Sequence, residues 1–600
     1  MTTSKRLVSS ALALSLGLGI MCSCSDDGLP ALDMNVQHSD IYVERNEAVG
    51  DDFIMGVDVS SYFSEIESGV TYYDFDGNVL DNQGFFNLLA ECGVTHVRIR
   101  IWNDPYDSSG RTFGGGHNDA DTAALIANLA GNAGLKVILD FHYSDFWADP
   151  SKQMVPREWS DMNLEQRGDA LYDFTYHTLG YIADQGADID IVQIGNETTN
   201  GFCGYEDWPS MTSLMQRGSE AVRDFDGSIR IAMHFANPER ENAYSFYADQ
   251  LNTYGVDYDI FASSYYPYWH GSTENLTEVL SYVAETYGKQ VMVMECSWSY
   301  TLQDGDGFPN TIGEGSDGIE NYRISPQGQA DMLSAVTRAV TDVGSAGIGI
   351  CYWEPAWIPV EVACREDGTI DNAIAESNMI LWNRNGSGWA SVFADEYDPD
   401  DAGVYYGGSA VDNQALFDFE GHPLESLRTF HFIRTGTDAP VPEATSTPTP
   451  TPVPVTAEGE VVVNGGFEDG LNDWEITGFN TEDASSNART GSGSLHFYSA
   501  DGSDDFTAVQ LIDLEPGTYE FSAWVEGGDS GDSDQIGVDI TVNGTIYDGH
   551  SSVTGWQQWS QIVISDIEIT EPTTVSICIY VHNPTPGAWG AFDDVSMVPS

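Results

Sequence analysis

Between residues 46 and 436, apolar residues fall in short blocks separated by longer segments of mixed polarity. Eight blocks stand out: 53–60 (FIMGVDVS), 95–102 (THVRIRIW), 136–143 (KVILDFHY), 189–197 (IDIVQIGNE), 229–236 (IRIAMHFA), 258–266 (YDIFASSYY), 290–298 (QVMVMECSW) and 347–354 (GIGICYWE). The intervening segments, such as 121–134 and 164–186, read as helices. Strands alternating with helices build parallel βαβ units. Eight such units predict an α/β fold, a closed (β/α)8 TIM barrel. The competing open sheet carries a glycine-rich phosphate turn after its first strand, and none follows residues 53–60.

From residue 458 the period changes to two. Runs such as 518–526 (TYEFSAWVE), 536–544 (IGVDITVNG) and 574–582 (TVSICIYVH) alternate and are separated by turn residues. This pattern predicts an all-β jelly-roll sandwich. Residues 440–455 (PVPEATSTPTPTPVPV) form an extended, semi-rigid spacer between the two domains. At the N-terminus, Lys5 and Arg6 precede an apolar stretch over 7–21, too short to span a bilayer, which ends in Cys22-Ser23-Cys24. That order resembles a bacterial lipoprotein signal with Cys24 as the lipidated residue; an ordinary secretory peptide is the alternative. Both imply export, and the first implies a secreted protein anchored at the outer cell surface. The predicted organisation is a signal over 1–24, a tether over 25–45, a barrel domain over 46–436, a linker over 437–457 and a β-sandwich over 458–600.

Composition narrows the partners. With 94 acidic against 22 basic residues the formal net charge is −72. Nucleic acid is excluded, because phosphate binding needs clustered Lys and Arg. A polyanionic substrate would be repelled, whereas a neutral polymer would not. The cysteines beyond the signal (Cys92, Cys203, Cys296, Cys351, Cys364 and Cys578) are scattered and lack metal spacing. They read mostly as small buried apolar residues, with one bridge left open.

Active sites of such barrels lie at the C-terminal ends of the strands. The fourth block ends Gly195-Asn196-Glu197 and the seventh carries Met294-Glu295-Cys296. A carboxyl closing an apolar strand is costly unless paired or used. Two on different strands of one mouth make the carboxylate pair that glycoside hydrolysis requires. Arg98 and Arg100, two apart on one strand, face the same side. One of them beside a carboxylate would keep it ionised, while the deeper one would pair structurally inside the barrel; the spacing leaves open which is which. His142 and Asp145 follow the third strand and are candidates for lining the cleft.

The pair Asn196-Glu197 with Glu295 resembles the pattern of glycoside hydrolase clan A. The stretches GVDVSSY, VRIRIWNDPYD, DFHYSDFWADP, VQIGNET, DIFASSYYPYWHG, YWEPAWIP and GGSAVDNQALFDF, spread over 56–419, are similar to family 53, the endo-β-1,4-galactanases. The resemblance implies a retaining enzyme with Glu197 as acid/base and Glu295 as nucleophile, their carboxyls ~5–5.5 Å apart. It further implies that Asn196 donates to the sugar 2-OH and that Tyr265 orients Glu295. Trp353 would form a floor under the scissile sugar, and Trp389 would stack at a more distant subsite. The implied substrate is β-1,4-galactan or arabinogalactan from pectin side chains, cut by a monomer without an organic cofactor. Another clan A activity on mannan or xylan, or surface capture of glycan without cleavage, are the alternatives.

The stretch 304–310 (DGDGFPN) reads by itself as a turn with oxygen side chains suited to a hard cation. The resemblance implies a structural calcium held by Asp304, Asp306, Asn310, Ser409 and Asp412, although Phe308 stands where bacterial relatives have His. The C-terminal domain resembles galactose-binding-like carbohydrate-binding modules. That likeness implies a second calcium between Glu468 and Asp594, and a sugar platform drawn from Trp474, Trp524, Trp556, Trp559 and Trp589.

Overall fold

The computed structural model describes residues 36–440 except 314, 317, 320, 366–368 and 405–406, and residues 461–599 except 468–469, 473, 478–479, 482–487, 490–492, 500–505, 515, 529–534, 543–544, 552–554, 571 and 583–584. The signal with Cys24, most of the linker, and Glu468 lie outside the described residues. The chain divides into two compact units, Met1–Ala444 and Thr445–Ser600.

The first unit is a closed barrel of eight parallel strands, β1 (Ile54–Asp58), β2 (His96–Ile101), β3 (Lys136–Phe141), β4 (Ile189–Ile194), β5 (Arg230–Phe235), β6 (Ile260–Ser264), β7 (Gln290–Cys296) and β8 (Gly347–Trp353), with β8 paired to β1. All eight fall within the apolar blocks. Alternation sorts each strand into two faces. Odd positions of β2 (Val97, Ile99, Ile101) pack outward with the surrounding helices. Ile54, Ile138, Ile191, Ala232, Ile260, Ala262, Met292, Met294 and Cys351 form a separate apolar cluster inside the ring. Gly56 permits this packing, since a Cβ there would lie 2.3 Å from Cys351 Sγ. Continuing the inward parity toward the C-terminal ends brings Asp58, Arg98, Arg100, Asp140, His142, Gln193, His234 and Ser264 into one layer. All eight are buried.

Helix starts are fixed locally. Asn163 and Gln166 form a reciprocal capping box that begins the helix Leu164–Asp184, and Asp119, Ser272 and Ser325 cap three others, each contributing about 1 kcal/mol.

The expected tether requires correction over 36–45. Ile41 and Val43 are buried, Tyr42 N–H donates to Gln327 Oε1 at 2.8 Å, and Val43 exchanges hydrogen bonds with Thr437. Two apolar side chains flanking Tyr42 are enough to seat this segment, and they take Thr437, assigned to the linker, into the domain with them. The six cysteines are free thiols, so the bridge left open is not formed among them.

The second unit consists of antiparallel strands β9 (Glu475–Thr477), β10 (Asn480–Thr481), β11 (Leu495–Tyr498), β12 (Phe506–Leu514), β13 (Gly517–Gly528), β14 (Gln535–Val542), β15 (Thr545–Ser551), β16 (Gly555–Ile569), β17 (Thr573–His582) and β18 (Trp589–Pro599). They form two five-stranded sheets, ordered β10-β11-β18-β13-β16 and β15-β14-β17-β12-β9. Phe521, Ala523 and Val525 of one sheet share a core with Val538, Ile540, Ile577 and Ile579 of the other, as expected of a β-sandwich. Trp474 belongs to this core. Trp524, Trp559 and Trp589 are partly exposed; the side chain of Trp556 is outside the described set. Asp594, expected beside a calcium, is ion-paired with Arg489, whose guanidinium also lies 3.8 Å over the Trp524 ring.

Candidate active site

Glu197 stands three residues beyond β4 in the left-handed region (φ 45°), after Gly195 at φ 82°. A Cβ on Gly195 would lie 2.5 Å from Thr198 Cγ2, so glycine is required at this turn. The strained backbone at Glu197 is held by its neighbours: Thr198 N–H donates to His234 O and Thr199 N–H to Glu197 O, at 2.9 and 2.7 Å. The Glu197 carboxyl receives the hydroxyl of Ser264 at 2.6 Å.

Glu295 arrives by a different route. Met292 and Met294 point into the barrel, so strict alternation would send Glu295 outward. The register of β7 slips against both neighbours here, between Ser263 and Ser264 of β6 and between Val293 and Cys296 on the β8 side. Such irregularities re-aim a side chain, and Glu295 lies buried against Arg98. Its Oε1 is 2.9 Å from Arg98 Nη1 and its Oε2 accepts the hydroxyl of Tyr266 at 2.9 Å.

Arg98 settles the choice between the two arginines. It also pairs with Asp58 (2.9 Å) and Asp140 (2.8 Å), and donates to Asn196 Oδ1 (2.9 Å) and Gln193 Oε1 (3.2 Å). Arg100 instead pairs with Glu354 at 2.5 Å and Asp58 at 3.4 Å, and lies 4.7 Å over the Trp147 ring.

Electrostatics separates the two glutamates. Burial first, and the charge of Glu295 second, push the Glu197 carboxyl well above the usual range. Burial also raises Glu295, but the Arg98 guanidinium and the Tyr266 hydroxyl act against it. The pair therefore shares its negative charge unequally: the anion falls on Glu295 beside Arg98, and the proton on Glu197. Burial opposes ionisation of Asp140 as well, yet Arg98 and His142 outweigh it and hold Asp140 below the usual range. One carboxyl kept protonated beside one kept ionised can supply an acid and a nucleophile to the same bond.

The other expected residues divide. Asn196 has Oδ1 on Arg98 and donates through Nδ2 to Ala148 O at 2.9 Å, which leaves its second amide hydrogen for a ligand. His142 is buried; its Nδ1 accepts from Trp102 Nε1 and Ala148 N–H, and its Nε2 meets Asp140 at 3.0 Å. It thus supports Asp140. Asp145 does not line the cleft: it is buried against Arg157 and accepts the Asp104 main-chain N–H, because loop residues after β3 fold over it. Tyr265 is a further correction. Its hydroxyl donates to Gly271 O at 2.8 Å, away from Glu295. Ile260 and Ala262 face inward on β6, so Ser264 and Tyr266 follow them in and Tyr265 turns out. Trp353 and Trp389 lie 6.3 Å apart beside Trp147, which stacks on Trp389 at 4.6 Å and 16°. Ring faces of this kind suit the C–H faces of sugars.

Sequence reasoning missed Ser264, Tyr266, His234, Asp140, Gln193 and Asp58. All but Tyr266 lie within strands, and strict inward parity from the apolar cluster would have found each one.

Carboxylate oxygens of Asp304 and Asp306, in the loop after β7, and of Asp412, beyond β8, lie within 4.8 Å of one another. Burial pushes Asp306 up to about 8 and Asp412 well above the usual range. Asn310 donates to Asp412 at 2.6 Å, while its own Oδ1 is buried without a partner. Ser409 contributes its main-chain N–H to Asp306, and Phe308 likewise donates through its main chain.

The geometry agrees with the comparisons. A family model described as "Glycosyl hydrolase family 53" matches residues 54–430, and a model described as "Carbohydrate binding domain" matches 459–587. The chain is 48% identical over 423 residues to an endo-beta-1,4-galactanase of Bacillus subtilis (strain 168), covering 70% of this chain and 96% of that protein. It is 35% identical over 337 residues to an arabinogalactan endo-beta-1,4-galactanase of Cellvibrio japonicus (strain Ueda107), with 53% and 85% covered. Among solved structures, the Ignisphaera aggregans GH53 catalytic domain matches with a TM-score of 0.57 and 34% identity, over 66% of this chain and 99% of that one. The chain belongs to glycosyl hydrolase family 53.

Proposed function

We infer that the protein is an endo-β-1,4-galactanase, a glycosidase that hydrolyses the galactan of arabinogalactan side chains with retention of anomeric configuration. The observation that carries this reading is the asymmetric pair: Glu295 ion-paired to Arg98 at 2.9 Å, and Glu197 pushed toward its acid form, in a chain so similar to a B. subtilis galactanase. Glu197 protonates the glycosidic oxygen while Glu295 attacks the anomeric carbon. Glu197 then takes a proton from the water that releases the covalent intermediate. Asn196 directs its free amide hydrogen to the sugar 2-OH, and Trp353 and Trp389 bind sugar faces. Reducing-sugar release from galactan, beside mannan and xylan, tests the reading. Activity on galactan alone, lost in Glu295→Ala, is expected; binding of galactan without release from any of the three would favour a capture protein.

The acidic loop holds a calcium ion through Asp304, Asp306, Asp412 and the Asn310 side chain, with Ser409 bracing Asp306. The orphaned Asn310 Oδ1 and three converging carboxylates support this assignment. The ion supplies charge neutralisation that ties the β7 loop to the 407–412 segment, and takes no part in bond cleavage.

Export follows from the basic, apolar and Cys24-containing N-terminus, with Cys24 lipidated and the protein anchored at the outer cell surface. Cys24→Ala is expected to release the protein into the medium, read by fractionation.

A further inference from the structure

His234 enters the active-site layer from β5, between the two strands that carry Glu197 and Ser264. It is fully buried and so is Ser264. Three contacts link them into a ring. The main-chain N–H of Glu197 points at His234 Nδ1 (3.3 Å), His234 Nε2 lies 3.0 Å from Ser264 Oγ, and Ser264 Oγ lies 2.6 Å from Glu197 Oε1. The ring thus begins at the backbone of Glu197 and ends at its side chain.

The directions of these bonds depend on where the imidazole carries its hydrogen. Two further groups meet Nδ1: Gln193 Nε2 at 3.1 Å and Asn196 Oδ1 at 2.9 Å. A hydrogen on Nδ1 would point at Asn196 Oδ1. That oxygen already accepts from Arg98 Nη2 (2.9 Å). The Glu197 main-chain N–H can only donate, and the ring atom it is directed at is Nδ1, which must therefore present its lone pair. The hydrogen accordingly belongs on Nε2, where it donates to Ser264 Oγ. Ser264 then turns its own hydrogen onto Glu197 Oε1, and Nδ1 accepts the Glu197 N–H.

We propose that His234 and Ser264 are positioning residues for the acid, occupying Glu197 Oε1 with a hydroxyl donor so that the transferable proton resides on Oε2. This rests on the galactanase reading above, and adds to it the means by which a carboxyl with two equivalent oxygens presents its proton from one of them. A neutral imidazole is required. Burial, then the charge of Arg98, pushes His234 well below its usual range. The charged and titratable groups around it are Arg98 from β2, and Asp140 and His142 of β3 and its end. Those around Glu197 are Glu295 and Tyr266, with Asp149, Arg98 and Tyr244.

The test uses the full chain and two substrates: galactan, whose sugar leaving group needs a proton, and a dinitrophenyl β-galactobioside, whose leaving group departs without one. Ser264→Ala is expected to lower kcat/KM on galactan by about tenfold or more, within the range of acid catalysis, with little change on the dinitrophenyl substrate. The alkaline limb of the galactan profile moves to higher pH, because ionised Glu197 has lost a donor. Ser264→Thr keeps the hydroxyl and restores both properties. Equal loss on the two substrates, or an unmoved alkaline limb, overturns the proposal. Nitrogen-15 shifts of the His234 ring in the unaltered protein give a second readout that no folding defect can obscure. A hydrogen on Nε2 is expected, and one on Nδ1 overturns the proposal. Failure of the unaltered protein to cleave galactan would instead sink the galactanase reading and leave the ring-tautomer result standing.

Discussion

Glu197 and Glu295 differ in what holds them, and that difference decides what each substitution does. Glu197→Gln keeps the Ser264 contact but has no proton to give. It should lose about 10²–10⁴-fold on galactan and keep most of its kcat/KM on a substrate with a good leaving group. Glu295→Gln removes the second-largest cause of the raised Glu197 carboxyl. A carbon-13 titration of Glu197 in that variant should move to lower pH while staying above an ordinary glutamate, because burial remains. The sign for activity follows directly. Glu197 works as the protonated form, so kcat/KM on galactan falls as pH rises through its raised value, and it falls on the acid side as Glu295 takes up a proton. Arg98 carries a different burden. Arg98→Met leaves Asp58, Asp140 and Glu295 facing one another in the barrel, and breaking buried pairs of this kind costs about 3–5 kcal/mol. A lowered Tm together with lost activity is expected.

At the scale of elements, the strands and their order were legible because an apolar block flanked by helical spacing has few other solutions. The site was legible only in part. Glu197 and Asn196 announce themselves as polar residues just past a strand end. The end of β6 offers two adjacent tyrosines, and only the parity of Ile260 and Ala262 carried forward tells that Tyr266, and not Tyr265, faces Glu295. Glu295 obeys no parity at all: its placement depends on a register slip that alternation does not encode. The two adjacent tyrosines allow a clean check. Tyr266→Phe removes a donor from Glu295 and should cut kcat on galactan. Tyr265→Phe removes only a bond to Gly271 O and should affect Tm more than kcat. The acidic loop is a second such element. A cation bound at about a hundred times its Kd stabilises by about 2.7 kcal/mol, worth about 2–4 °C in a domain of this size. Chelator should lower Tm by that order, calcium should restore it, and Asp306→Asn should be insensitive to both.

At the scale of the whole molecule, the two units have separate cores and a Pro/Thr-rich segment between them. Every residue named around Glu197 and Glu295 belongs to the first unit, so cleavage of soluble galactan should not depend on the second. A chain ended after Ala444 is expected to keep its kcat/KM on soluble galactan within about twofold, since its core and site are unchanged. The appended unit matches a carbohydrate-binding model, and tethering a binder to an enzyme raises the local concentration of substrate without any new contact at the site. Its effect should therefore be confined to insoluble, galactan-rich material, where the shortened chain should release sugar more slowly at low enzyme loading and approach the full chain at high loading. Equal rates on insoluble material at every loading would mean that the second unit binds some other glycan; lost activity on soluble galactan would mean that the barrel needs it to stay folded, which the Tm of the shortened chain would reveal.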